Sequence, residues 1–171
     1  MTLAASPWLE KHLGLVPAGG HVLDLACGSG RHAALCLDRG FTVLGVDIDL
    51  SRCATLSERP GFEVLAADLE NAPWPLGERQ FDGVIVSNYL WRPILGRIVD
   101  AVAPNGVLLY ETFAVGNEAY GRPDNPDFLL QPGELIDAVG DRLEIRAYEH
   151  GYEAEPRAAV RQRICAVNVG R

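Results

Sequence analysis

Two aspartates and a pair of glycines carry the most legible chemistry in this chain. Val22-Leu23-Asp24-Leu25-Ala26-Cys27-Gly28-Ser29-Gly30-Arg31-His32-Ala33 passes from an apolar run through a glycine turn into a helical stretch. A second apolar run, 42–46, ends on Asp47. Glycines let a backbone approach a ligand where a Cβ would clash, and the helix start that follows favours an anion. An acid ending the next strand stands where a ribose diol would bind. Gly28-x-Gly30-x-x-Ala33 therefore fits the dinucleotide fingerprint, with Asp47 as its ribose acid. Two features turn it away from a dinucleotide. Asp24 stands in the first strand, where packing beneath a pyrophosphate turn calls for an apolar side chain; a carboxylate suits a cofactor with a cationic amino-acid end. The 171 residues also leave little room for a second domain with hydride-transfer machinery.

The elements that must position these residues follow from the apolar patterning. Ser6 and Pro7 start a short helix as N-cap and first helical residue. Apolar runs at 21–25, 42–46, 62–66, 81–87 and 107–113 read as strands, with helices expected at 30–38, 49–58 and 92–102 between them. Asp49 is an N-cap, and 68–80, with three turn-forming residues at Pro73, Pro75 and Gly77, is a loop. Residues 114–132 are long, rich in Gly, Asn and Pro, and without periodicity, the profile of a functional or disordered loop. After a short helix at 133–139, alternating runs at 143–152 and 160–169 predict an antiparallel hairpin. The expectation is an α/β domain: five parallel strands and a terminal hairpin.

With Asp24 placed before the glycines, the chain resembles the class I S-adenosylmethionine-dependent methyltransferases. The first motif is Asp24-x-Ala26-x-Gly28-x-Gly30, with Ala26 where the family usually has glycine. Gly45-Val46-Asp47-Ile48-Asp49 follows as the ribose strand end, Ala67-Asp68-Leu69 as the third motif, and Phe81-Asp82-x-Val84-Ile85-Val86 as the fourth strand. Pro104-Asn105-Gly106-Val107-Leu108 matches the turn before strand five. The ordered set covers residues 15–170, and Gly30-Arg31-His32 is similar to the small tellurite-resistance-type members. The resemblance implies a Rossmann-like three-layer sandwich around a largely parallel seven-stranded sheet.

It also implies S-adenosyl-L-methionine as the cofactor. Asp24, Ala26, Gly28, Gly30 and Arg31 would hold its amino-acid end, with Arg31 or His32 meeting the methionyl carboxylate. Asp47 would accept the ribose hydroxyls and Ile48 pack on the adenine. Asp68 would accept from the adenine amino group, with Leu69 as a backbone donor, and Ser87 and Asn88 would line the cofactor. Plainer readings stay open at this point: Asp47 as a strand-end cap, Asp68 as a turn residue, Arg31 as a solvated helix residue.

Methyl transfer is an in-line displacement in which positioning and desolvation do most of the catalysis, so no triad is required. Tyr89 and Trp91 would wall the acceptor site. Enzymes of this architecture that methylate adenine or glutamine amines carry an acid or Asn followed by Pro-Pro-aromatic, a pairing that Ser87-Asn88-Tyr89-Leu90-Trp91 lacks. Asn117, Tyr120 and Arg122 make the 114–132 loop a candidate lid, with Arg122 holding an anionic or oxygen-rich group; the alternative is a loop docked by Phe128 and Leu129. Glu111, Tyr120 and His150 are the candidate bases.

Composition bounds the partners. A net charge of −8, with Lys11 the only lysine, opposes generic binding to a phosphate backbone. The four cysteines lack zinc spacing and read as reduced core thiols, so no metal is expected. No apolar window reaches the ~20 residues of a membrane span, and no basic leader opens the chain. The expectation is a single-domain cytoplasmic methyltransferase acting on a small molecule, its oligomeric state open. An RNA or protein methyltransferase and an NAD-binding reductase are the alternatives.

Overall fold

Alternating burial makes the sheet. In β1 (His21–Leu25), Val22 packs into one hydrophobic layer while Leu23 and Leu25 enter the opposite one. The same division holds in β2 (Thr42–Asp47), where Val43 lies on the first side and Leu44 and Val46 on the second. With β3 (Phe62–Ala66), β4 (Phe81–Ser87) and β5 (Val102–Phe113) these strands run parallel, and β7 (Ala159–Val167) pairs antiparallel with both β5 and β6 (Glu144–Glu153). The strand order is β3-β2-β1-β4-β5-β7-β6 in one seven-stranded sheet. This computed structural model describes residues 3–170.

Helices cover both faces. α1 (Pro7–His12) and α2 (Arg31–Asp38) contribute Trp8, Leu9, Ala33 and Cys36 to one buried layer. α3 (Leu95–Asp100) and α4 (Glu134–Val139) contribute Ile98, Val99, Leu135 and Val139 to the other. The three-layer sandwich is thus as expected, and Ser6 caps α1 by accepting the Trp8 N–H at 3.1 Å.

Three local expectations are corrected. The segment after β2 is a 3₁₀ helix, Leu50–Leu56, entered through Asp49, whose carboxylate accepts the Ser51 N–H at 2.9 Å. The helix expected over 92–102 is shorter. Pro93 starts a 3₁₀ turn, Arg92–Ile94, and α3 ends at Asp100. β5 then begins at Val102, before the Pro104-Asn105-Gly106 turn rather than after it. Asn168 holds that lead-in, donating from its side chain to the Val102 carbonyl at 3.0 Å and from its backbone to Gly106 at 2.9 Å. The register jumps accordingly, from Phe81 opposite Val102 to Gly83 opposite Val107.

The 114–132 loop is docked: Leu129 and Leu130 are buried, and the Leu130 N–H donates to Phe113 at 3.0 Å. Among the described residues no helix is long and apolar enough to cross a membrane.

Candidate active site

The sheet order reverses direction at β1, which has β2 on one side and β4 on the other, and ligands of open α/β sheets bind at the carboxyl ends of strands at such a switch. Here the turn after β1 places Ala26, Gly28 and Gly30 all in the left-handed region, at φ 53°, 54° and 75°. At Gly30 the positive φ favours glycine, and a Cβ would also lie 2.6 Å from Leu56 Cδ1, so the Leu56 side chain would have to shift. Ala26 takes the same left-handed conformation with a side chain, against the ordinary preference of L-residues.

Asp47 ties this turn to the end of β2. Its Oδ2 accepts the Gly28 N–H at 2.9 Å and its Oδ1 accepts the Asp49 N–H at 3.1 Å. A carboxylate has about four acceptor sites, so both oxygens keep capacity toward the cavity that Asp47 lines.

Asp24 lies behind the turn rather than at its mouth. It is 2% exposed, and Oδ2 accepts the Ala33 N–H in the first turn of α2 at 3.1 Å. Burial pushes its carboxyl up to about 7 despite that bond and the nearby Arg31. His32 is also buried, and burial followed by the neighbouring Arg31 charge lowers it to about 4. Its neutral ring is consistent with Nε2 accepting the Ser6 N–H at 3.2 Å. Arg31 donates to the Ala4 carbonyl at 2.8 Å. Arg31 and His32 therefore anchor the chain leading into α1, while both still line the cleft.

Three cavities meet above the strand ends. One, of ≈ 220 Å³, is bounded by Ala26, Asp47, Ile48, Asp68 and Leu69. Ile48 is 70% exposed on its wall, an apolar surface suited to a flat ring. Asp68 accepts from the Glu70 and Asn71 N–H groups at 2.9 and 3.0 Å, which hold its carboxyl below the usual range. The second cavity, ≈ 400 Å³, runs past Gly28, Ser29, Arg31, Ser87 and Arg161. The third, ≈ 210 Å³, lies under Pro123 and Phe128 against Leu90 and Phe113. Tyr89 borders all three, and Asn88 borders the second and third. A larger cavity of ≈ 690 Å³, around Arg97, Asp100 and Arg142, shares none of these residues.

Several expected residues are placed elsewhere. Glu111 is 6% exposed and bound by Arg163 Nε at 3.0 Å, with Ser87 Oγ at 3.4 Å; a paired carboxylate has little freedom to act as a base. Tyr120 stacks on Tyr152 at the surface, with ring centroids 4.9 Å apart, and His150 is exposed on β6. Asn117 is a staple: it donates to the Pro123 carbonyl at 2.9 Å and accepts the Val160 N–H at 3.1 Å. Arg122 is exposed and Trp91 packs against the main core; neither borders the three cavities. Of the expected acceptor-side residues, Tyr89 borders the three cavities.

Two residues were missed. Arg161 on β7 reaches Asn88 Oδ1 at 2.6 Å and Glu153 at 2.7 Å, and its guanidinium lies 4.2 Å from the Phe113 ring centre. Of its five N–H donors these bonds engage two. Glu70 borders the first and third cavities and accepts from Tyr89 Oη at 3.4 Å. Neither lies in a sequence motif, although the alternation of the last strand marks Arg161 as sharing a face with Arg163.

The arrangement fits S-adenosylmethionine: an apolar wall and two acids for an adenosine, a close-approach turn, and a cation-lined end for an amino acid. Residues 22–106 match the family model of a methyltransferase domain. Ribosomal RNA small subunit methyltransferase H of Gemmatimonas aurantiaca is 32% identical over 148 residues, covering 81% of this chain and 43% of its own length. The chain thus spans less than half of that relative. TehB from Haemophilus influenzae superposes with a TM-score of 0.77 at 16% identity, covering 98% of this chain and 63% of that one. The 1,6-didemethyltoxoflavin-N1-methyltransferase of Burkholderia thailandensis, solved with 1,6-didemethyltoxoflavin and S-adenosylhomocysteine, gives 0.69 at 20% identity, covering 94% and 74%. At such identities these two structures bear on the fold alone.

Proposed function

The chain belongs to the class I S-adenosylmethionine-dependent methyltransferases, and on that premise we propose that it methylates a small molecule held beside Asn88 and Tyr89. The observation that carries this reading is the meeting of three cavities at Tyr89, the second and third of which also share Asn88. The ≈ 220 Å³ cavity would take the adenosine, with Ile48 against the ring and Asp47 on the ribose. The ≈ 400 Å³ cavity would take the amino-acid end, its carboxylate toward the free donors of Arg161. The ≈ 210 Å³ cavity would take the acceptor.

When bound, the cofactor would supply an electrophilic methyl group on a sulfonium for an acceptor lone pair. The protein's part is alignment and exclusion of water. Asn88, at φ 55° and held by Arg161, fixes the floor where donor and acceptor meet. Pro123 and Phe128 roof the acceptor side.

A small acceptor is favoured by the third cavity's volume, below the ~300–1,000 Å³ of drug-sized sites, and by the net charge of −8. The toxoflavin-precursor enzyme is a fold neighbour with a small heterocyclic ligand. The ribosomal RNA relative supports RNA as a second reading, weakened by an acidic surface. Incubation with methyl-labelled S-adenosylmethionine and separated small-molecule and macromolecular fractions of a cell extract decides between them. Label in the small-molecule fraction is expected; label confined to RNA or protein overturns the proposal.

A further inference from the structure

The third cavity carries information about its occupant. Phe113 and Phe128 offer two aromatic surfaces and Leu90, 2% exposed, closes the apolar end. Its polar groups are Glu70, Asn88 and Thr112, with the Tyr89 hydroxyl donating to Glu70. None of the nearby cations lines this cavity. Arg161 is stacked on Phe113 and bonded to Asn88 and Glu153. Arg92 is bonded to Glu134 at 2.6 Å and to the carbonyls of Asp127 and Leu129. Arg122 is exposed and does not line the cavity. Among the described residues that line this cavity there is one charge, and it is the carboxylate of Glu70.

We infer that the acceptor is a neutral, planar aromatic or heteroaromatic ring, packed against Phe113 and Phe128, with a ring N–H or O–H donating to Glu70. This rests on the methyltransferase reading and narrows its substrate class. A flat ring matches the two aromatic surfaces, since aromatic pairs gain from stacked or edge-to-face contact beyond their buried area. A carboxylate or phosphate would meet Glu70 with no cation lining the cavity to offset the repulsion. A ring bearing a donor satisfies Glu70, and the volume of ≈ 210 Å³ limits the occupant to a compact ring system. Glu70 also borders the adenosine-side cavity, so the one carboxylate lines both the cofactor side and the acceptor side.

The test uses protein saturated with S-adenosylhomocysteine and three matched probes: quinolin-4-ol, 4-methoxyquinoline and quinoline-4-carboxylate. Calorimetry is expected to rank quinolin-4-ol above the methoxy compound and at least ~10-fold above the carboxylate, the worth of a hydrogen bond to a charged group. Phe128→Ala should weaken quinolin-4-ol roughly two- to tenfold. Glu70→Gln should narrow the gap between the neutral ring and the carboxylate, a change in charge preference that lost packing would not produce. Equal or tighter binding of the carboxylate, no binding by any ring, or capture of a single-stranded RNA oligonucleotide in preference to the free rings overturns the inference. Failure of S-adenosylhomocysteine itself to bind is a separate result, and strikes the methyltransferase reading instead.

Discussion

The carboxylate of Asp47, at the end of β2, accepts the backbone N–H of Gly28 at 2.9 Å, so one acid both shapes the glycine turn after β1 and faces the cofactor cleft. The plain strand-end-cap reading and the ligand reading are therefore not alternatives at this residue. A cap that leaves lone pairs toward a cavity can also accept from a ligand there.

Asp47→Asn keeps an acceptor for Gly28 and removes the charge. We expect folding to be retained and S-adenosylhomocysteine affinity to fall ~10- to 100-fold, the equivalent of ~1.5–3 kcal/mol for a hydrogen bond to a charged acceptor. Titration calorimetry beside a thermal melt separates the two effects.

Two buried groups act on stability in opposite pH directions. His32 titrates near 4 in the fold against an ordinary 6.5, so its contribution is present above 6.5 and lost as pH falls toward 4, by roughly 3 kcal/mol at most. Asp24 titrates near 7 against 3.8, so its contribution is full below 3.8 and lost as pH rises through 7, by roughly 4 kcal/mol at most. The two windows overlap and the slopes oppose each other, so urea unfolding from pH 4 to 7 should show His32→Gln losing stability as pH rises and Asp24→Asn gaining it. Each substitution keeps an acceptor for its partner, the Ser6 or Ala33 N–H.

Arg161→Gln should weaken S-adenosylhomocysteine by ~10-fold or more and leave methylthioadenosine, which lacks the amino-acid end, within about twofold. Equal losses for both ligands would make Arg161 a support for Asn88 only. Arg161→Lys should restore part of the difference.

Ala26 at φ 53° has a left-handed cost of ~1–2 kcal/mol for an L-residue, and glycine brings an unfolded-state entropy cost of ~0.5–1 kcal/mol. Ala26→Gly should therefore leave the melting temperature unchanged or slightly raised. Ala26→Val, β-branched at positive φ, should lower it by several degrees.

Much of this was legible from residue order, because parallel strands with two buried faces declare themselves as apolar runs, and Asp24, Asp47 and Asp68 punctuate them. The start of β5 was misplaced because Pro104-Asn105-Gly106 reads as a terminator, while Asn168, distant in sequence, keeps Val102 paired. Arg161 carries no motif signal in the sequence, and Glu111 reads as a free carboxylate, for a related reason. Register alone puts Phe113 opposite Arg161 and Glu111 opposite Arg163, making one a cleft residue and the other a buried ion-pair partner. Asn117 looked like a ligand-seeking side chain because its backbone partners, Pro123 and Val160, come together only in the fold.

The central claim is that the cleft over Gly28, Asp47 and Ile48 binds S-adenosylmethionine. Calorimetry of the purified protein with S-adenosylhomocysteine and NADH side by side tests it most directly. Saturable one-to-one binding of S-adenosylhomocysteine, weakened in Asp47→Asn, with no heat from NADH, is the predicted result; binding of NADH alone would contradict it.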